Sequence, residues 1–222
     1  MADADEGRHH PGPGLWWHEA WVFEAWTPAA DVGLTTALVL LPNQGLAWYW
    51  AMLVRADQPL LHLAVLDAAL PVSGLMVRTT GLWADHICEA PFEQWTVANE
   101  AHAVALDDPD DATGRAYGVP EPLAFDLEWY ATGVAMTDAA GYEQPGEVDG
   151  VVELASGHLD VVGPARRRHS WGGFWPTPAV AAPSPPRSPG LRAPVALDGP
   201  YGPWVLDRVL TADGWWEQPS WP

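Results

Sequence analysis

The stretch GLWADHICEAPFEQW, residues 81–95, sets an aspartate, a histidine, a cysteine and two glutamates among tryptophan, phenylalanine and aliphatic side chains. A carboxyl group held in such surroundings resists ionisation, which makes Asp85, Glu89 and Glu93, together with Glu128 further on, candidate acids. On an extended strand Asp85 and Ile87 share one side while His86 and Cys88 share the other, an arrangement that would let His86 act as base to a thiol. No nucleophile elbow or oxyanion-hole signature accompanies that pair, and His86, Glu89 and His102 lack zincin spacing. The competing reading of this stretch is a turn whose polar groups cap neighbouring strands.

A second constellation lies in GPARRRHSWGGFWP, residues 163–176, where three arginines, a histidine and a serine meet two tryptophans. In an extended chain Arg166 and Arg168 share one side, and Arg167 and His169 the other. Outward arginines pairing with acidic loops contribute only about 0 to 1 kcal/mol. The functional alternative points His169 and Trp171 into a barrel mouth, with Arg168 securing the carboxylate or phosphate of an amphipathic ligand. The catalytic candidates are therefore Asp85, His86, Glu128 and His169; no metal-ligand set and no cofactor motif is read.

Tryptophan is the compositional outlier, with 15 residues where average usage gives about three or four. Burying them requires an N–H acceptor for each indole, or a site where part of the ring faces a ligand. In LAWYWAMLVRA (46–56) Trp48, Trp50, Met52 and Val54 share one face and Ala47, Tyr49, Ala51 and Leu53 the other, so both faces are apolar and one is a candidate cavity wall. Trp48, Trp50, Trp83, Trp95, Trp129 and Trp171 are the candidate ligand-lining aromatics.

These side chains need strands to position them. Twenty-three prolines and 21 glycines interrupt the chain too often for long helices, and the segments between them are β-branched, aromatic and alternating. Strands are expected at 18–26, 34–41, 46–56, 60–67, 75–83, 92–98, 100–107, 123–131, 147–154 and 158–162, with PNQG (42–45) and SG (156–157) as turns. Residues 107–118 suit one short helical turn, and their aspartates lack the spacing of a calcium loop. The fold class is all-β, an antiparallel meander closed into a barrel or curled into a sandwich. Residues 1–14 are expected to be a disordered N-terminus, 15–175 the barrel domain, 176–194 a Pro-rich linker, and 195–222 a C-terminal strand segment that either returns to the sheet or acts as an arm to a second subunit in a homodimer.

Charge narrows the partners. Ten basic residues, all arginine, against 29 acidic ones give a formal net charge of −19, which repels nucleic acid and anionic membrane surfaces. The single cysteine, Cys88, excludes an intramolecular disulfide. The polar start and the broken apolar run at 33–54 point to a cytoplasmic chain with no membrane span.

EWYATG (128–133), GYEQPGEVDGVVEL (141–154) and GPARRRHSWGGFW (163–175) together resemble the junction segment of the carotenoid 1,2-hydratases and AttH-like proteins of the lipocalin-like (calycin) group. Tyr142, Gln144 and Gly146 fit its first half; His169, Ser170, Trp171 and Gly172 fit its second. At the level of pattern the likeness covers about two-thirds of the chain. Two departures stand out. Arg168 occupies the place of an aspartate that would orient the histidine, and only 50 residues follow Gly172 where the family continues into a second barrel. The resemblance implies a lipocalin-like barrel, shortened to one, that binds an apolar or amphipathic small molecule such as a lipid, isoprenoid or polyketide. A hydratase, isomerase or cyclase working by acid catalysis on such a ligand is one alternative. The other is a structural or interaction protein with a filled core.

Overall fold

The computed structural model describes residues 2–173 and 190–220. The first four strands, β1 (His18–Trp26), β2 (Val32–Leu41), β3 (Leu46–Arg55) and β4 (Leu60–Ala69), follow one another as a meander. A small hairpin of β5 (Val77–Thr79) and β6 (Leu82–Ala90) leads into β7 (Gln94–Leu106) and β8 (Val119–Ala131). The short β9 (Met136–Thr137) precedes the long pair β10 (Gly141–Leu154) and β11 (Gly157–Gly172). The C-terminal part holds β12 (Leu191–Arg192), β13 (Val195–Gly199), β14 (Gly202–Thr211) and β15 (Gly214–Ser220).

Pairing runs β4-β3-β2-β1-β11-β10-β8-β7, and the end of β7 returns to β4 through Leu60 opposite Leu106, which closes a ring of strands. The all-β antiparallel barrel is thus observed. Its closure between first and last strands is made by β1 and β11, from His18 opposite Gly172 to Ala25 opposite Ala165. β6 and β5 extend from the first half of β7 as a flap beside the ring. Among the described residues no helix is long and apolar enough to cross a membrane.

Alternation sorts the side chains into two cores. Trp21, Phe23, Leu38, Tyr49, Trp95 and Trp129 fill the barrel interior. The void between Phe23, Leu34, Val97, Leu127, Trp129 and Val148 is about 10 Å³, no more than one water would need. The interior is a packed core, not a dry hollow. The opposite faces of β1 to β3, with Val22, Val39, Trp48, Trp50 and Met52, form the second core against Val195, Leu197, Trp204 and Leu206 of the C-terminal sheet. This explains why both faces of 46–56 are apolar. The C-terminal segment returns to its own barrel, anchored where Arg208, fully buried, bonds Thr35 and Glu217 beside Glu24.

Several expectations shift. Most of residues 81–95 is strand and not a turn: 82–90 pair with β7 as β6, with Leu82, Ala84 and His86 inward and Trp83, Asp85 and Ile87 on the other side, and only 91–93 turn. Segments 92–98 and 100–107 are one continuous strand. The N-terminal residues expected to be disordered are held against the barrel, with a 3₁₀ turn at Asp3–Glu6 and Glu6 buried. Composition alone hides this, since a tail poor in apolar residues is here retained by polar contacts, chiefly Glu6 with Arg167 and His9 with Glu19. A short helical turn does form at Pro109–Thr113. The greater part of the expected linker, residues 176–189, lies outside the described residues.

Candidate functional site

One end of the barrel gathers the polar groups. β11 turns Arg167 and His169 inward, and the neighbouring β10 turns in Tyr142, Gln144 and Gly146, so two alternating patterns meet face to face. The Arg167 guanidinium donates to both carboxylate oxygens of Glu6, Nη2 to Oε1 at 2.6 Å and Nη1 to Oε2 at 3.0 Å. It also donates to Gln144 Oε1, from Nε at 3.1 Å and Nη2 at 2.6 Å, and from Nη1 to the Tyr142 hydroxyl at 3.2 Å. Gln144 is itself fixed by donating to the carbonyls of Phe92 and Gly133. Trp95 Nε1 and the Tyr142 hydroxyl both donate to Glu6 at 2.9 Å. The guanidinium also lies over the Trp129 ring at 5.0 Å and the Tyr142 ring at 5.1 Å, so the cation is held by a planar fork and by π faces together. Gly146 has a spatial reason: a Cβ there would collide with the Trp129 indole.

Beside this pair sits a second carboxylate. Glu19 of β1, buried like its neighbour, lies 2.9 Å from Nε2 of His169 and 2.6 Å from Nδ1 of His9, and also accepts from the His9 backbone N–H. Indoles hold both imidazoles, Trp171 stacked on His9 at 3.9 Å and Trp21 on His169 at 4.4 Å. Burial lowers the His169 pKa, and the hydrogen bond and charge of Glu19 partly oppose that. The carboxylate that orients His169 therefore comes from β1, and not from the position beside it that Arg168 occupies.

Next to Glu6 a cavity of about 720 Å³ opens at the barrel mouth. Its walls are the N-terminal residues 6–8, the loop at 72–76, residues 85–88 of β6, and Trp95. Leu75, Met76, Ile87 and Trp95 make it largely apolar. Asp85 has its pKa raised by desolvation, with a backbone hydrogen bond from His86 opposing. Burial drives His86 down to about 3, so it is a neutral imidazole. Neither of its ring nitrogens has a hydrogen-bond partner, while its ring meets Phe23 edge-on at 5.3 Å. Burial, with Glu6 nearby, pushes the Cys88 thiol up to about 11, so a thiolate nucleophile is not prepared here.

Of the sequence candidates, Asp85, His86 and Trp95 line this cavity, while His169, Trp171 and Trp129 surround the adjoining polar cluster. The others lie elsewhere. Glu128 accepts from Gln94 and Thr96 across the outer face of β7 and β8. Arg168 points outward to Asp138 at 2.6 Å, Trp83 is half-buried opposite Glu100, and Trp48 and Trp50 lie beneath the C-terminal sheet. Glu6, His9, Glu19 and Arg167 escaped the sequence reading. Alternation from His169 marks Arg167 as inward, and Glu19 within the apolar run HEAWVFEAW is a comparable signal; nothing in the sequence marks Glu6 or His9. The buried indoles also depart from the one-acceptor expectation: Trp95 and Trp215 donate, whereas Trp21, Trp50 and Trp129 have no acceptor for Nε1.

No curated protein matches the chain. Among solved structures, the "Crystal structure of CghA with Sch210972" is similar at 11% identity and a TM-score of 0.40, over 93% of this chain and 64% of that one. The chain thus spans less than two thirds of that protein. Residues 2–176 match a family model described as a domain of unknown function, DUF7064. With that match running from the buried N-terminal turn through β11, the chain belongs to the DUF7064 family.

Proposed function

We propose that this protein binds an apolar or amphipathic small molecule, of the lipid, isoprenoid or polyketide kind, in the cavity at the barrel mouth. The observation that carries the reading is His86. A buried imidazole with both nitrogens unpartnered costs about 1–3 kcal/mol for each unmet group, and this one borders a largely apolar cavity of ligand size. Both nitrogens are shut off from solvent, so a turn of the ring toward the cavity would present one donor and one acceptor to a ligand hydroxyl or carbonyl. The packed interior moves the binding place from the lumen, where a lipocalin-like carrier would hold its guest, to the mouth.

The raised Asp85 carboxyl favours a second reading, acid catalysis on the bound molecule in the manner the hydratase resemblance implies. Fold likeness alone does not grant that chemistry. Mass spectrometry of small molecules extracted from the purified protein tests the binding reading. A retained apolar compound at near one equivalent supports it. A ligand-free protein whose tryptophan fluorescence ignores isoprenoid and fatty-acid panels would leave only the structural role. Turnover of a bound isoprenoid that is lost in Asp85→Asn would establish the second reading.

A further inference from the structure

The cluster around Glu19 goes beyond that cavity. We infer that His9, Glu19 and His169 form a binding site for a divalent transition-metal cation of the zinc or cobalt type. Positions 9, 19 and 169 share no motif, and only the closing of β1 against β11, with the N-terminal segment laid across them, brings them together. One ligand atom from each residue lies within 4.8 Å of the other two. A zinc ion with bonds of about 2.0–2.2 Å holds its donors roughly 3 to 3.5 Å apart. Two imidazoles and a carboxylate are the donor set of three-ligand zinc sites, which leave a fourth position open.

Three further observations support a cation over a plain hydrogen-bonded triad. Glu19 is 1% exposed, yet its two ion pairs are both to histidines. The chain contains no lysine, and among the described residues no arginine lies within ion-pairing distance of this carboxylate. A buried carboxylate needs a compensating positive charge. The Tyr142 hydroxyl gives its proton to Glu6 at 2.9 Å, so at 3.3 Å from His169 Nδ1 it acts as acceptor. With an ion on Nε2 in place of the hydrogen bond to Glu19, Nδ1–H would donate to that hydroxyl, the outer-shell arrangement that metal-bound histidines use. Finally, Trp171 and Trp21 stack on the two rings and hold their planes. His9 is 21% exposed, which gives an ion a way in. Bound there, the cation ties the N-terminal segment to β1 and β11 and secures Glu6, three residues upstream, at the barrel end.

The test uses the full chain, free of any polyhistidine tag and dialysed against chelator. Cobalt(II) is titrated with visible absorption as the readout, zinc(II) by calorimetry, and thermal melting is followed with and without each. One equivalent of either metal should saturate the site, with intense cobalt bands of a low-coordinate N/O site and a higher melting temperature by mass action. His9→Ala should weaken zinc binding by at least about 10–100-fold and abolish the cobalt spectrum, while His10→Ala leaves both unchanged. Far-UV circular dichroism of metal-free His9→Ala confirms that the barrel is intact. Absence of cobalt bands and zinc heat in the wild type, or equal affinity in His9→Ala, would overturn the inference and leave a proton-sharing triad.

Discussion

Arg167 and Glu6, 161 positions apart in sequence, form a buried two-pronged ion pair at one end of the barrel, 2.6 Å at its shorter contact. The sequence points to Arg168 as the arginine for a ligand's carboxylate, but Arg168 faces outward to Asp138, and the inward Arg167 holds a carboxylate of the chain's own.

Removing one partner of a buried pair leaves the other charge uncompensated, at a cost of about 3–5 kcal/mol. Glu6→Ala is therefore expected to lose stability of that order in urea denaturation. The double replacement Glu6→Leu with Arg167→Leu should lose less than the sum of the singles. A loss below about 1 kcal/mol in Glu6→Ala would show that the N-terminal turn is not held as described.

Gly146→Ala should destabilise by about 1–3 kcal/mol through overpacking, because the added methyl meets the Trp129 indole. Thermal melting measures it. Gly45→Ala provides a contrast: nothing lies near its Cβ, but its φ of 69° is left-handed, so its cost comes from backbone strain.

The C-terminal sheet carries its own prediction. Trp204, 1% exposed, packs into the core that also holds Trp48, Trp50 and Leu206. Trp204→Ala should cost about 3–5 kcal/mol. A chain ended at residue 173 should self-associate in size-exclusion chromatography, since it bares the outer apolar face of β1 to β3.

Acid should weaken the fold over a defined range. Burial lowers His62 to about 4 and His86 to about 3, from 6.5 when unfolded. Between those values the unfolded chain binds more protons than the folded one, so stability rises with pH. The contribution is complete above pH 6.5 and falls away as pH drops toward 4 and then 3. Each histidine adds a slope of about 1.4 kcal/mol per pH unit there, and denaturation of His86→Leu between pH 4 and 6.5 should show a shallower dependence than wild type.

The barrel was legible because its evidence is periodic. HEAWVFEAW announces a strand by alternation, LTTALVLL and LAWYWAMLVRA by short apolar runs rich in β-branched and aromatic residues, and PNQG with Gly45 at positive φ turns one hairpin. The second apolar face of β3 was visible, but its cover, the C-terminal sheet, lies far along the chain, at Leu191 and beyond. Polar residues concealed β6, whose Asp85, His86 and Cys88 suggested a turn. The candidate site was half legible: Asp85, His86, Trp95 and His169 stood out by their surroundings, and Tyr142, Gln144 and Gly146, singled out by their pattern, pack on Arg167 and Trp129. Glu6 and His9 carry no local signal, since a tail acquires its place only when the closed barrel offers it a buried cation and a buried carboxylate.

Under the proposed binding function, the unpartnered His86 at the mouth cavity meets a polar group on an apolar guest. Titrating the protein with a matched pair, a long-chain alcohol and the alkane of equal length, with the change in tryptophan emission as the readout, tests it most directly. The account predicts that the alcohol binds at least about tenfold more tightly, a difference worth about 1.4 kcal/mol, and that His86→Leu removes this preference while the alkane binds as before. Equal affinities for the two compounds in the wild type, or a preference that survives His86→Leu, would contradict it.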